Sequence, residues 1–275
     1  MPKIIFFDID GTLCEPGKAP SDATVAALHR AQARGHKILI ATGRNIPIIP
    51  GFLLDIGFDG IIASAGGYVI VDGQVLEDRA MPPALLERAL TVLGRYDMSY
   101  MLETAEGTFA DREKCLAAWM RGQSNANSEQ RRLMLQLIDG LGVLPMEGFH
   151  GQPVYKICFT AGSVEGLQTA VAELGDDFFT VTNMVPGGPA LNGETMARGV
   201  DKGSAVHKVC AYYGVGVEDA VAFGDSGNDL PMLRAAGTGV AMGNAAPDVK
   251  AEADVVCESC QEDGIARQLA RMGLA

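Results

Sequence analysis

The segment IIFFDIDGTLCEP, residues 4–16, places two aspartates directly after a run of four apolar residues. Such a short apolar run is typical of a strand buried in a parallel sheet. Residues i and i+2 of a strand point to the same face, so we expect the side chains of Asp8 and Asp10 to lie close together. Two carboxylates at that separation repel each other, which raises the pKa of one or requires a cation between them. A turn would explain Asp10-Gly11, but not an aspartate at the end of a buried strand.

Strands and helices alternate at both ends of the chain, outside the middle segment. Residues 37–41 (KILIA) and 220–223 (AVAF) read as further buried strands, with helical patterns between the strands. This alternation predicts an α/β fold, a doubly wound parallel sheet of Rossmann type covered on both faces. Two breaker clusters, Pro82-Pro83 and Pro186-Gly187-Gly188-Pro189, flank the middle. We therefore predict a core of residues 1–81 and 189–275, with an inserted α+β domain over 82–188.

Polar residues follow three of the predicted strands. Asp8 and Asp10 end the first strand, Thr42 ends the second, and Asp225 ends the strand at 220–223, with Asp229 four residues later. Ligands of open parallel sheets bind beyond the carboxyl ends of the strands. Mg²⁺ prefers oxygen ligands and usually keeps waters and substrate phosphate as the others. The sequence therefore predicts a magnesium site at this edge of the sheet.

The same edge has the groups that phosphoryl transfer needs. A carboxylate can attack phosphorus as a covalent nucleophile, and a second one on the same face can serve as general acid and base. Gly11 would let the backbone approach the phosphoryl oxygens, and Thr42 with the Gly43 amide would donate hydrogen bonds to them. Lys202, near a predicted helix start, could offset the negative charge. Arg44 is either a phosphate contact or an ion-paired or solvated arginine at a helix start.

Taken together, DIDGT (8–12), ATGR (41–44), Lys202 and GDSGND (224–229) resemble the four signature motifs of the haloacid dehalogenase superfamily. The inserted segment, AMGNA (241–245) and EDG (262–264) resemble its Cof-type branch of sugar-phosphate phosphatases, whose inserted cap domain is called type IIB. Relatives often carry Asn-Gly-Ala after the third strand, where this chain has Ala65-Gly66-Gly67.

The resemblance implies a role for each motif residue. Asp8 would be the nucleophile and a metal ligand, and Asp10 the general acid and base with its carbonyl on Mg²⁺. Asp225 and Asp229 would complete the metal site, Asp229 directly or through water. The catalytic set would be Asp8, Asp10 and Lys202, and the phosphate-binding set Gly11, Thr42, Gly43, Arg44 and Asn228.

The function implied is Mg²⁺-dependent hydrolysis of small phosphate monoesters, sugar phosphates foremost, through an aspartyl-phosphate. Two alternatives stay open: a phosphomutase with a similar cap domain, and a non-catalytic binder of a phosphorylated metabolite. The letters GDSG (224–227) also occur around serine-protease nucleophiles, but that class needs a histidine–aspartate pair on a different fold. The sequence names neither the substrate nor the oligomeric state.

Composition excludes several partners. The net charge of −12 argues against a nucleic-acid surface, where a basic footprint dominates affinity. No apolar run is long enough to span a bilayer, and the first residues do not fit a signal peptide. The six cysteines lack a disulfide-framework spacing. We therefore expect free thiols and a cytoplasmic protein, with a small phosphorylated metabolite as its partner.

Overall fold

The computed structural model describes residues 2–121, 142–184 and 191–275. The chain forms two compact units. The first contains Met1–Arg44, Ile49–Asp78 and Val200–Ala275, and the second contains Asn45–Ile48 and Arg79–Gly199.

The strands of the described residues are numbered in chain order. They are β1 Ile4–Phe7, β2 Lys37–Ala41, β3 Gly60–Ala63, β4 Tyr68–Val71, β5 Gln74–Asp78, β6 Ser99–Thr104, β7 Thr108–Ala110, β8 Val143–Pro145, β9 Val154–Ala161, β10 Phe178–Met184, β11 Leu191–Ala197, β12 Ala220–Gly224, β13 Thr238–Ala241 and β14 Val255–Val256. The helices are α1 Asp22–Ala33, α2 Gly51–Leu54, α3 Pro83–Arg95, α4 Arg112–Arg121, α5 Val164–Leu174, α6 Lys202–Tyr213, α7 Leu230–Ala235, α8 Pro247–Glu252 and α9 Gly264–Arg271.

The sheet of the first unit has the order β14-β13-β12-β1-β2-β3-β4-β5. Strands β14 to β3 are parallel, and β4 and β5 extend the edge as an antiparallel hairpin. Asp72 and Gly73 form its turn with φ of 47° and 77°, the conformation that Asp-Gly favours in tight hairpins. The predicted α/β class with a parallel sheet is confirmed.

Apolar side chains cover both faces of this sheet. Ile4 and Phe6 of β1 lie in one buried cluster with residues of α6 and α7, while Ile5 and Phe7 point to the opposite face and are also fully buried. Burying one such side chain contributes roughly 1.5–3 kcal/mol. Helix α6 begins after Asp201, whose carboxylate accepts the amide of Ser204 at 2.7 Å in a capping box. The core thus fixes the strand ends and the start of α6.

The second unit is an α+β structure around the sheet order β10-β11-β9-β6-β7-β8. Most neighbours are antiparallel, and β7 and β8 are parallel. Apolar residues of α3 and α5 pack with β6 and β9 in one core. The role of this unit as a cap domain stays a prediction.

The domain boundary predicted at residue 189 is wrong for residues 191–197. The core was expected to resume at residue 189, but β11 pairs with both β9 and β10 in the sheet of the second unit. The chain returns to the first unit at Val200. The predicted Pro186–Pro189 breaker lies outside the described residues. Between β2 and β3 the chain forms a 3₁₀ turn at Ile46–Ile48 and the short helix α2, which begins directly after Pro50.

Two expectations from composition can be compared with the structure. Cys14, Cys115, Cys158, Cys210, Cys257 and Cys260 are free thiols. Within the described ranges, no helix has both the length and the apolar character needed to cross a bilayer.

Candidate active site

The predicted site residues of three strands converge because those strands are neighbours. Strand β1 lies between β2 and β12, and Phe7 pairs in parallel register with Ile40 on one side and Phe223 on the other. The loops that follow these strands therefore begin side by side. Asp8, Thr42 and Asp225 are the polar residues that they carry at the edge of the sheet.

Lys202 joins two of the acidic loops from the start of α6. Its side chain is completely buried, and its Nζ donates to Oδ1 of Asp8 at 2.6 Å and to Oδ1 of Asp229 at 2.6 Å. Burial alone would lower the pKa of the lysine, but the charges of Asp229 and Asp8 outweigh it and raise that pKa. Lys202 therefore stays an ammonium ion between two carboxylates.

Three carboxylates form the centre of the site. One oxygen from each of Asp8, Asp225 and Asp229 lies within 4.8 Å of the others. Burial, followed by the charge of Asp229, raises the pKa of Asp8 to about 8, with the Lys202 ammonium opposing the shift. The same two causes raise the pKa of Asp225 to about 6. When all three carboxylates are ionised, one ammonium leaves the group with excess negative charge, so the oxygen donors fit a hard divalent cation.

Asp229 also shapes the loop that carries Asp225. Its Oδ2 accepts the backbone amides of Asp225 and Ser226, each at 3.0 Å. Asn228 lies in the same turn and accepts the Ser226 hydroxyl through Oδ1 at 2.8 Å. The aspartate predicted as a metal ligand is thus also the residue that closes this loop.

The role of Gly11 in the structure differs from the predicted role. The sequence suggested that it lets the backbone approach a phosphate. In the structure its φ is +86°, and a Cβ there would lie 2.3 Å from Oδ2 of Asp225. Thr12, the next residue, donates its hydroxyl to Oδ1 of Asp225 at 3.4 Å. The glycine therefore makes room for a carboxylate of the cluster.

The loop after β2 contributes Thr42, Gly43 and Arg44. Thr42 is buried, and its hydroxyl oxygen accepts the amide of Arg44 at 3.1 Å. The Arg44 side chain lies on Asp10: Nε donates to Oδ2 at 2.8 Å, and Nη2 donates to Oδ1 at 2.7 Å. Arg44 is thus ion-paired, and its predicted contact with phosphate stays a prediction.

A strained loop after β3 is hydrogen-bonded to the backbone of the Thr42 loop. Ser64 and Ala65 have φ of 48° and 55°, and their amides donate to the carbonyls of Arg44 and Thr42. Gly66 has φ of +107°, and a Cβ there would lie 2.3 Å from the carbonyl oxygen of Asp201. The segment that departs from the usual Asn-Gly-Ala thus connects the Thr42 loop with the start of α6.

Asn244 is a site residue that the sequence analysis did not select. Its Nδ2 donates to the Gly11 carbonyl at 2.8 Å and to Oδ2 of Asp225 at 3.3 Å, and its Oδ1 accepts the amide of Cys260 at 3.1 Å. The residue follows β13, the next parallel strand beyond β12. Its strand-end position within AMGNA (241–245) was the signal that could have identified it.

This chain is similar to known proteins over nearly its whole length. The family of haloacid dehalogenase-like hydrolases matches residues 5–269. The chain is 28% identical to the Bacillus subtilis (strain 168) protein YkrA, provisionally named a phosphatase, over 99% of this chain and 98% of that one. It is 29% identical to the HMP-PP phosphatase of Yersinia enterocolitica, over 98% and 94%.

Solved structures lead to the same family. A structure described as a subclass IIB sugar phosphatase of the haloacid dehalogenase superfamily superposes with a TM-score of 0.79 at 27% identity, over 99% of this chain and 100% of the other. The match extends across both units. The chain belongs to the haloacid dehalogenase-like hydrolases, in the Cof-type branch with subclass IIB relatives, and it is a phosphatase.

Proposed function

We propose that this phosphatase hydrolyses small phosphate monoesters with Mg²⁺ through an aspartyl-phosphate on Asp8. The observation that supports this most is the buried ammonium of Lys202 between Asp8 and Asp229. It holds the Asp8 carboxylate in a fixed orientation beside a second acid of the cluster, Asp225. A carboxylate needs no base to activate it as a nucleophile, only positive charge to reduce its repulsion from the phosphoryl group.

Mg²⁺ would be held by the carboxylates of Asp8, Asp225 and Asp229 and by the backbone carbonyl of Asp10. When bound, the ion offsets the charge of the phosphoryl oxygens and of the acidic cluster. Asp229 already accepts hydrogen bonds at both oxygens, from Lys202 and from two backbone amides. Its contribution to the metal site is therefore as much to place the Asp225 loop as to supply a ligand.

In the first step an oxygen of Asp8 forms a bond to phosphorus, and the bond between phosphorus and the ester oxygen breaks. Asp10 gives a proton to the departing oxygen. In the second step Asp10 takes a proton from water as the water oxygen attacks phosphorus, and the Asp8 carboxylate leaves. Phosphate is released, and both aspartates return to their starting state.

The phosphate group itself would be bound by Lys202, by the Thr42 hydroxyl, by the Gly43 amide and by Asn228. Thr42 accepts from the Arg44 amide, so the hydrogen of its hydroxyl points away from that amide. The Gly11 amide donates to the Cys14 carbonyl at 2.8 Å, so this glycine contributes room rather than a hydrogen bond.

Sugar phosphates are the substrate class that we propose first, with phosphorylated cofactor precursors second. The support is the naming of similar proteins: one structure is described as a sugar phosphatase, and a curated relative as an HMP-PP phosphatase. The net charge of −12 also favours a small substrate over a polyanion.

A screen of phosphorylated metabolites with purified protein and Mg²⁺ tests this function. We expect release of inorganic phosphate from sugar phosphates, and no release by Asp8→Asn under the same conditions. Chromatography of the organic product distinguishes a mutase, which would return an isomeric phosphate ester instead. Turnover by Asp8→Asn close to that of the wild-type protein would exclude the mechanism.

A further inference from the structure

Arg44 and Asp10 form a two-point ion pair at the edge of the acidic cluster. Nε of the guanidinium donates to one carboxylate oxygen at 2.8 Å, and Nη2 donates to the other at 2.7 Å. The side chains are 25% and 37% exposed, so the pair is partly shielded from water. The hydrogen bonds to Asp10 raise the pKa of Arg44 above its usual value. A forked pair of this kind fixes the plane of the carboxylate as well as its position.

The backbone of Arg44 is itself held on both sides. Its amide donates to the Thr42 hydroxyl at 3.1 Å, and its carbonyl accepts the amide of Ser64 at 2.8 Å. Ser64 belongs to the strained loop after β3, with φ of 48°. Strain of this kind persists only where the surroundings enforce it. The guanidinium therefore extends from a fixed backbone toward Asp10.

We propose that Arg44 is a positioning residue for Asp10 rather than a contact of the substrate phosphate. The inference rests on the proposed function, in which Asp10 protonates the departing ester oxygen. Both oxygens of Asp10 accept from a single guanidinium, so the arginine sets the orientation in which that carboxyl group meets the leaving group. These two hydrogen bonds direct Nε and one N–H of Nη2 of Arg44 at Asp10.

The two roles differ in how they depend on the leaving group. An alkyl ester leaves as a strongly basic alkoxide and needs the proton from Asp10, whereas p-nitrophenolate is a stable anion and needs it little. A residue that acts through Asp10 should therefore affect alkyl esters selectively. A residue that binds phosphate should affect both esters equally, because the transferred group is the same.

The experiment compares kcat/KM of Arg44→Gln for a hexose phosphate and for p-nitrophenyl phosphate, since kcat/KM reports the steps up to phosphoryl transfer to Asp8. General acid catalysis contributes about 10²–10⁴-fold, so we expect a loss of about tenfold or more for the hexose phosphate and less than about threefold for the aryl ester. Arg44→Lys keeps the charge without the fork and should show the same selectivity. Arg34→Gln, an exposed arginine of the same unit that donates to the Gly273 carbonyl, should show none.

A double-mutant cycle with Asp10→Asn completes the test. If Arg44 acts through Asp10, Arg44→Gln should change kcat/KM by less than about twofold in the Asp10→Asn background, because interacting residues are not additive. Equal losses for both esters, with weaker inhibition by inorganic phosphate, would overturn the inference and make Arg44 a phosphate ligand. If Asp10→Asn loses more kcat/KM for the hexose phosphate than for the aryl ester while Arg44→Gln and Arg44→Lys lose equally for both, this inference alone is overturned. No selectivity in Asp10→Asn would overturn the proposed role of Asp10 as well.

Discussion

Each unit of this protein buries one lysine between two carboxylates, and the two arrangements differ in position and in charge. Lys202 lies at the edge of the parallel sheet, 2.6 Å from oxygens of both Asp8 and Asp229. An oxygen of a third carboxylate, that of Asp225, lies within 4.8 Å of one oxygen of each of these two acids. With its three carboxylates ionised, this cluster, which we call the edge cluster, has two negative charges more than its single ammonium can offset.

Lys156 lies in the middle of β9 in the second unit and is 3% exposed. Its Nζ is 3.2 Å from Glu103 on β6 and 3.4 Å from Glu194 on β11, and Cys158 on the same face donates to Glu103 at 3.3 Å. Glu103 is directly opposite Lys156 in the antiparallel register. This sheet cluster is a set of cross-strand pairs.

A buried lysine between two acids does not by itself indicate catalysis. The edge cluster lies where separate loops meet beyond the strand ends, and its carboxylates outnumber its ammonium by two, against one in the sheet cluster, so it fits a divalent cation better. The sheet cluster lies within regular strands, where opposite charges across strands stabilise pairing. We therefore expect changes in the edge cluster to affect catalysis and changes in the sheet cluster to affect stability.

The largest difference should come from replacing one acid of each cluster with its amide. Asp8→Asn should lower kcat by about 10⁴-fold or more because it removes the nucleophile. Glu103→Gln should leave kcat for p-nitrophenyl phosphate within about threefold of the wild-type value, since it changes only a cross-strand pair. Steady-state kinetics measures both. A loss of kcat in Glu103→Gln comparable to that of Asp8→Asn would show that the two clusters do not differ in their importance for catalysis.

Removal of divalent metal should act on the edge cluster alone. EDTA should lower turnover by about 10³-fold, with full recovery on adding Mg²⁺, because the cation supplies several kcal/mol of charge stabilisation. Binding to the native state should also raise the melting temperature, by the equivalent of about 2.7 kcal/mol at a hundred times Kd. Glu103→Gln should keep this thermal shift and Asp225→Asn should lose it. A shift retained in Asp225→Asn would place the cation elsewhere.

Replacing the two lysines should separate stability from activity. Lys156→Met should reduce the free energy of unfolding of the protein by about 3 kcal/mol, because it leaves the buried carboxylate of Glu103 without its cation. Its turnover per folded molecule should stay near wild type, whereas Lys202→Met should lose turnover even where it remains folded. Urea titration and kinetics on the same preparations measure both quantities. Unchanged stability in Lys156→Met would show that the sheet cluster is energetically neutral.

The strained loop supports only the edge cluster. Gly66→Ala should destabilise the protein by about 2 kcal/mol, because it combines a positive φ with a contact of 2.3 Å to the Asp201 carbonyl, and should lower kcat as α6 shifts. Gly35→Ala is the matched control, since its φ is +86° but nothing lies within 4 Å of the added Cβ. It should cost about 1 kcal/mol without a change in kcat. Equal effects at the two glycines would refute the close approach.

The smallest effect is a pH dependence of the sheet cluster. Burial raises the pKa of Glu103 above its usual 4.5, with the charge of Lys156 opposing the shift. The folded state therefore binds more protons than the unfolded state above pH 4.5, so this group lowers the free energy of unfolding as pH rises from 4.5 to its folded pKa. Across this pH range, the denaturant midpoint of Glu103→Gln should fall less steeply with rising pH than that of the wild-type protein. An identical pH profile in both proteins would contradict the assignment.

The edge cluster was largely predictable from sequence because its members follow strands or begin a helix, and local patterns locate those points. The pairing of Arg44 with Asp10 and the contacts of Asn244 were not predictable, since they depend on how separate loops meet. The sheet cluster needs the cross-strand register of β6 and β9, which sequence alone does not specify. Strand β11, LNGETMA, was missed because Asn, Gly and Glu are poor strand formers.

The central claim is that Asp8 attacks phosphorus and becomes an acyl phosphate, and it can be tested by chemical trapping. Enzyme quenched during turnover of a hexose phosphate is reduced with borohydride, which converts a phosphorylated aspartate to homoserine, and the position is read by peptide mass spectrometry. We predict homoserine at position 8, dependent on substrate and absent from a sample without it. Homoserine at another aspartate, or unmodified Asp8 in enzyme that is turning over, would contradict the account.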